Sequence, residues 1–422
     1  MAKAFRSFLR LGEKMKSVFL LLFVVLSCFG GVFDSIALNE WVQINPEYVN
    51  NKGNGGSHNP QSWSKLVYFN GKCWVWDKWQ DTIRTNDKSI YGNALISIDL
   101  STNQAMLENV VDWKMEVIGY SYCEHPFDSI INSPAPRHIY GALSASDNAL
   151  YMYYGANGKL NLCNDSYDTL MLNMWRYDGS WVQIKPDTLP RYSSSATTAA
   201  CYRPDGTMLH VDTWGYTWIY NIQYNTWTRQ FPNNSPIGNL SGHSLIYDTN
   251  NGCAWLFGSV YALTAKRLYM YNAGDWTEKT VCPVGGETGD ALVLHSSGKL
   301  VALVDSVLCA YTVNSDTWEI VDTLHPVRKP KYIFQQFCYD PANDLFVALG
   351  GDYHGPEWWV YRYDTEYIPP PPDTTWLEEK PDTADSYNWG AFEQIHIDSG
   401  WCEDQGPECW GNHWFWWTEG QK

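Results

Sequence analysis

A tryptophan that keeps returning at one interval constrains this chain more than any other feature. Trp181, Trp227, Trp276 and Trp318 stand 46, 49 and 42 residues apart. Each follows a short aromatic or apolar run and a turn of Asn, Asp, Gly or Ser: Tyr177-Asp178-Gly179-Ser180-Trp181, Tyr224-Asn225-Thr226-Trp227, Tyr271-Asn272-Ala273-Gly274-Asp275-Trp276 and Val313-Asn314-Ser315-Asp316-Thr317-Trp318. Self-similarity with a period of about 20–50 residues marks a repeat architecture, in which one small unit cannot bury its apolar face alone. Two further matches support it. Trp41-Val42-Gln43-Ile44-Asn45-Pro46-Glu47 repeats as Trp181-Val182-Gln183-Ile184-Lys185-Pro186-Asp187, and Cys201-Tyr202-Arg203-Pro204 as Cys338-Tyr339-Asp340-Pro341.

Between these marks lie short runs of Val, Leu, Tyr and Trp, split by Gly, Asn, Asp and Pro, which is the strand-and-hairpin signal. In one repeat the strands are expected at Ser244–Asp248, Cys253–Gly258, Arg267–Tyr271 and Trp276–Val281. No long stretch has a helical apolar period beyond the N-terminal segment, so the class is all-β. Six repeats fit, centred on 61–110, 137–187, 191–231, 242–282, 289–322 and 332–370, with an insertion at 111–135. Trp41 resembles the opening of a fourth strand yet precedes every first strand. The expectation is that this N-terminal strand completes the last repeat and hides an edge that would invite pairing with other chains. Thr375-Trp376-Leu377-Glu378 competes for that place. Cys201 and Cys338 then face each other across the ring, too far apart to bond.

The repeat marks resemble the kelch family, of the kind found in the central domain of galactose oxidase. Pro136-Arg137-His138, Pro190-Arg191-Tyr192 and Pro330-Lys331-Tyr332 match the element before the first strand. Leu349-Gly350-Gly351-Asp352 matches the end of the second strand, Tyr177-Asp178 and Tyr363-Asp364 the third, and the returning Trp opens the fourth. The resemblance covers about residues 38–370. It implies a six-bladed β-propeller with four strands per blade. Kelch-type propellers include galactose oxidase and exported sialic acid mutarotases. The extra modules of the copper oxidase do not fit this length. The mutarotases agree in size, export and blade count, with no motif that carries over residue by residue.

The N-terminus reads as an export signal. Lys14 and Lys16 precede the apolar run Val18–Leu26, which is shorter than the ~20 residues that span a bilayer. Ser35-Ile36-Ala37 offers an ordinary cleavage site, making 1–37 a signal peptide. Val25-Leu26-Ser27-Cys28 offers a lipobox, which would leave Cys28 as an N-terminal lipid anchor. Either route gives a secreted, periplasmic or cell-surface protein without a transmembrane segment; an uncleaved anchor is the third alternative. Residues 371–422 form a Pro linker and a tail with eleven acidic residues, two Lys and seven Trp. Cys402 and Cys409 in that tail are the expected local disulfide. With 46 acidic against 29 basic residues and a net charge of −17, the chain lacks the basic footprint of a nucleic-acid binder.

Two repeated features point to the mouth of the ring, where loops on a rigid scaffold carry function. One is the acidic residue after the second strand: Asp77, Asp212, Asp305 and Asp352. Converging, they would hold a divalent cation through oxygen. Separately, each would satisfy the backbone of its own turn. The other is the basic group near the first strand: Arg137, Arg191 and Lys331, with His138 and His243. These would clamp a carboxylate, or bond to a neighbouring blade. His354 follows Asp352 in the loop after the double glycine. Motifs of metalloproteases, serine hydrolases and phosphate-binding loops are absent, so no reaction and no cofactor is assigned. The expected role is a glycan- or protein-binding module. A sugar-acid isomerase and a structural surface protein are the alternatives.

Overall fold

The computed structural model describes residues 33, 36–49, 65–77, 80–81, 90–91, 94–110, 115–116, 134, 141–153, 174–186, 199–212, 214–236, 240, 242–258, 266–284, 291–304, 307–323, 336–352 and 355–363. These residues form strands and turns, with no helix among them. The chain begins with β1 (Trp41–Ile44) and β2 (Glu47–Tyr48). Blade 1 takes β3 (Leu66–Phe69) and β4 (Lys72–Asp77), then, beyond β5 (Gln80–Asp81) and β6 (Ile90–Tyr91), β7 (Ala94–Asp99) and β8 (Gln104–Val110). β9 (Met115–Glu116) joins β5 and β6 in a small separate sheet, and β2 runs parallel along the outer edge of β8.

The next four blades are plain antiparallel meanders. Blade 2 is β10 (Leu143–Ala145), β11 (Leu150–Met152), β12 (Met174–Tyr177) and β13 (Trp181–Ile184). Blade 3 is β14 (Ala199–Arg203), β15 (Thr207–Val211), β16 (Thr217–Asn221) and β17 (Thr226–Arg229). Blade 4 is β18 (Ser244–Asp248), β19 (Cys253–Phe257), β20 (Leu268–Asn272) and β21 (Asp275–Glu278). Blade 5 is β22 (Ala291–Leu294), β23 (Leu300–Val304), β24 (Val307–Thr312) and β25 (Thr317–Asp322). Blade 6 is β26 (Phe337–Asp340), β27 (Leu345–Asp352) and β28 (Gly355–Tyr361), with β1 hydrogen-bonded to β28 as the fourth member of its sheet. The innermost strands neighbour one another in the cycle β3, β10, β14, β18, β22, β26 and back to β3. The fold is a six-bladed β-propeller.

The core lies in apolar layers between blades, because each sheet is covered on both faces. Middle strands therefore lose the period-two pattern of a half-exposed strand: every residue of Cys253–Phe257 and of Leu300–Val304 is buried. Successive hairpins are closed by residues that tolerate positive φ, as at Asn70 (φ 49°) and Gly71 (φ 78°) between β3 and β4. This is the primed-turn chemistry that matches strand twist.

The returning Trp has a repeated task. It stands opposite a Tyr of the third strand, with ring centroids 5.1 Å apart for Tyr177–Trp181, 5.0 Å for Tyr220–Trp227, 4.9 Å for Tyr271–Trp276 and 5.1 Å for Tyr311–Trp318. Trp41 stands in the same register opposite Tyr361, at 4.9 Å. Three of these indoles also donate to the preceding blade: Trp276 Nε1 to Thr217 Oγ1 (2.8 Å), Trp318 Nε1 to Thr280 O (2.8 Å) and Trp41 Nε1 to Asp322 Oδ2 (3.0 Å). One side chain thus packs within its own sheet and ties it to the sheet before. Trp358 and Trp359 point to opposite sides of β28, but each faces a neighbouring layer of the core.

Candidate functional site

In an antiparallel blade the start of the first strand, the loop after the second and the exit from the fourth share one face of the ring. The tight hairpins occupy the other. Asp77 and Asp352 end the second strands β4 and β27 and so belong to this loop face. Asp212, directly after β15, and His243, directly before β18, lie on it too. Arg137, His138, Arg191, Lys331, Asp305 and His354 lie outside the described residues, as do Cys402 and Cys409.

Asp212 is almost fully buried (1% exposed) and organises its own loop. Its Oδ1 accepts from the backbone N–H of Trp214 and of Tyr216, both at 2.9 Å, while its backbone N–H donates to Tyr216 O at 3.1 Å. Burial pushes the carboxyl up to about 6, against the opposing pull of these donors, the Trp218 indole and Arg229. Gly215 closes the loop at φ 78°, and a Cβ there would lie 2.6 Å from Pro236 O. The loop is therefore pinned from inside and from behind.

This pinned loop carries an exposed aromatic patch. Trp214 is 43% exposed, Tyr216 45%, and Phe231, just beyond β17, 80%. The Arg229 guanidinium lies 4.0 Å from the Tyr216 ring centroid, 5.1 Å from Phe231 and 5.9 Å from Trp218. Arg over aromatic faces is a cation–π arrangement. Exposed aromatic surface that a fold has not buried marks an interaction site more often than scattered single residues do.

A second feature lies on the ring axis. Lys65, immediately before β3, is buried (7% exposed) and its Nζ donates to Ala200 O of blade 3 and Leu245 O of blade 4, each at 3.3 Å. Blade 4 is opposite blade 1 in the ring, so the side chain crosses the channel. Burial brings its pKa down to about 8. His243 is also buried, its Nε2 3.2 Å from Val211 O of blade 3, and burial holds it down to about 4. The His210 ring, on β15, is held down to about 3 by burial. Both imidazoles are neutral at pH 7. Among the described residues no group of three or more His, Cys, Asp or Glu is placed to hold a metal ion. None contributes a helix long and apolar enough to cross a membrane.

Sequence reasoning named Asp212 and His243 and missed Lys65 and the patch. Lys65 abuts the first strand, the position at which basic groups were sought in other blades. Trp214 and Tyr216 carry no mark that separates them from the core aromatics.

No family model matches the chain, and no curated protein matches it. Solved structures are similar to the chain only at low identity. A structural-genomics protein of unknown function from Bacteroides thetaiotaomicron gives a TM-score of 0.43 at 10% identity, with 76% of each chain covered. YCF48 bound to D1 peptide gives 0.40 at 10%, covering 78% of this chain and 96% of that one. An oligogalacturonate lyase in complex with manganese gives 0.38 at 12%, covering 78% and 99%.

Proposed function

We propose that this chain is an exported, kelch-like propeller that acts as a binding module, its ring completed by the N-terminal strand and its ligand taken by the aromatic patch of blade 3. The observation that carries the reading is Arg229 set among Tyr216, Trp218 and the exposed Phe231, on a loop fixed by Asp212 and Gly215. A pre-ordered cluster of Trp, Tyr and Arg is the composition of a protein-binding hot spot, where rigid rings lose little entropy on contact. The preferred ligand is therefore a protein or peptide. A glycan is the second reading, favoured by the open rings of Phe231 and Trp214, which can stack on a sugar face. Secretion or surface tethering, through a cleaved signal or a lipid on Cys28, belongs to the same proposal, as does a cation or anion site at the channel mouth.

The test places a photo-crosslinking residue at Tyr224, on the hairpin face, or at Phe231 in the full exported chain. Specific crosslinks from Phe231 that are lost in Arg229→Ala and Trp214→Ala support the site. Equal crosslinking from both positions, or crosslinks indifferent to Arg229 and Trp214, refute it. A glycan array on the same variants separates the two ligand classes.

A further inference from the structure

Six described cysteines are buried: Cys73, Cys201, Cys253, Cys282, Cys309 and Cys338. Two of them meet. Cys338 Sγ lies 3.2 Å from Cys73 Sγ. Cys73 is on β4, the second strand of blade 1, and Cys338 on β26, the first strand of blade 6. This is the seam where the last blade meets the first. The two residues are separated by 265 positions, and the surrounding layer of Leu66, Val75, Val347, Leu349 and Trp358 is apolar.

We propose that Cys73 and Cys338 form a covalent cross-link site that locks the ring at this seam in an oxidising compartment. The geometry requires little. The sulfurs must approach by roughly 1.2 Å to reach disulfide length. The backbones of β4 and β26 pass within 8 Å of each other, and the bond needs the two Cα atoms about 4.4–6.8 Å apart. The oxidant is a disulfide of the compartment, either an oxidoreductase or oxidised glutathione. One cysteine thiolate attacks that disulfide, forming a mixed disulfide and expelling one partner thiolate. The second cysteine, losing its proton, attacks the protein sulfur of the mixed disulfide and expels the second thiolate. Two protein thiols become one cystine, the partner disulfide takes up both electrons, and the two protons pass to the two thiolates it leaves.

The timing follows from burial. In the closed ring the Cys338 thiol is held well above its usual range by desolvation and by its neighbour, so the reactive thiolate is scarce there. The exchange belongs to the stage at which blade 6 docks on blade 1 and the sulfurs are still reachable. Long-separation links restrict the unfolded chain most, so the bond acts where ring opening would begin.

Refolding the reduced full chain in a mixed oxidised and reduced glutathione buffer, then alkylating and mapping peptides, tests the site. The expected result is a bridge joining Cys73 to Cys338, with neither of them alkylated although both are in chain refolded with reductant, and a higher thermal midpoint. Cys338→Ser should lose the bridge and the shift in midpoint, whereas Cys201→Ser should keep both. Full alkylation of Cys73 and Cys338 in chain folded in the disulfide buffer would overturn the proposal. So would a bridge from either residue to another cysteine. The mapping on the unmutated chain decides the matter even where a serine variant does not fold.

Discussion

Gly215 is the residue on which the patch rests. Its φ of 78° belongs to the left-handed region, and Pro236 O occupies the space a Cβ would need. Gly215→Ala is expected to lower stability by about 1–3 kcal/mol and to abolish ligand capture at Phe231, read by urea denaturation and crosslinking yield. Lys65 makes a prediction of opposite kind. Its folded pKa of about 8 lies below the usual 10.5, so between these values the unfolded chain binds a proton that the folded chain has released. Stability should rise with pH across that window, and Lys65→Met should flatten the rise in a series of thermal midpoints. A lysine beside an apolar strand looks like an ordinary solvated charge in sequence. Only the meeting of blades 1, 3 and 4 on one axis shows that it is enclosed. Trp214 and Tyr216 were illegible for the converse reason: in a chain whose Trp residues build the core, nothing local says which ones the packing leaves out.

At the level of strands and blades, the returning Trp is a joint. Trp276 is buried, packed at a tilt against Tyr271 of its own sheet and hydrogen-bonded to Thr217 of the sheet before. Trp276→Phe and Thr217→Val should each destabilise by about 1 kcal/mol. The double variant should lose little more, since both remove the same bond; a double-mutant cycle by chemical denaturation reads the coupling. Trp276→Ala, which also empties the layer, should cost about 3–5 kcal/mol. The same marks made the blades legible. In blade 4 the expected Ser244–Asp248, Cys253–Gly258, Arg267–Tyr271 and Trp276–Val281 became Ser244–Asp248, Cys253–Phe257, Leu268–Asn272 and Asp275–Glu278. The short strands Glu47–Tyr48, Gln80–Asp81, Ile90–Tyr91 and Met115–Glu116 were not anticipated. Two residues have no period to read, and their pairing is decided by the strands they reach.

For the molecule as a whole, buried titratable groups set the acid limit. His210 and His243 have pKa values of about 3 and 4 when folded, against 6.5 ordinarily. Their contribution is full above 6.5 and is lost as pH falls toward those values, because unfolding then takes up protons. Asp212 opposes this, gaining stability as pH falls from about 6 to 3.8, but it is one group with a smaller shift. The thermal midpoint should therefore drop between pH 6.5 and 4. His243→Gln should weaken that dependence; an unchanged pH profile would show that the imidazole is not confined as described. The path of the backbone has one more consequence. Asn39 N–H donates to Arg362 O, and the Arg362 guanidinium reaches back to Phe33 O and Ile36 O, so the polypeptide enters and leaves the ring side by side at blade 6. Blade 3 is diametrically across from it. The Arg229 cluster therefore sits on the rim farthest from the place where the two ends of the ring-forming chain are tied together.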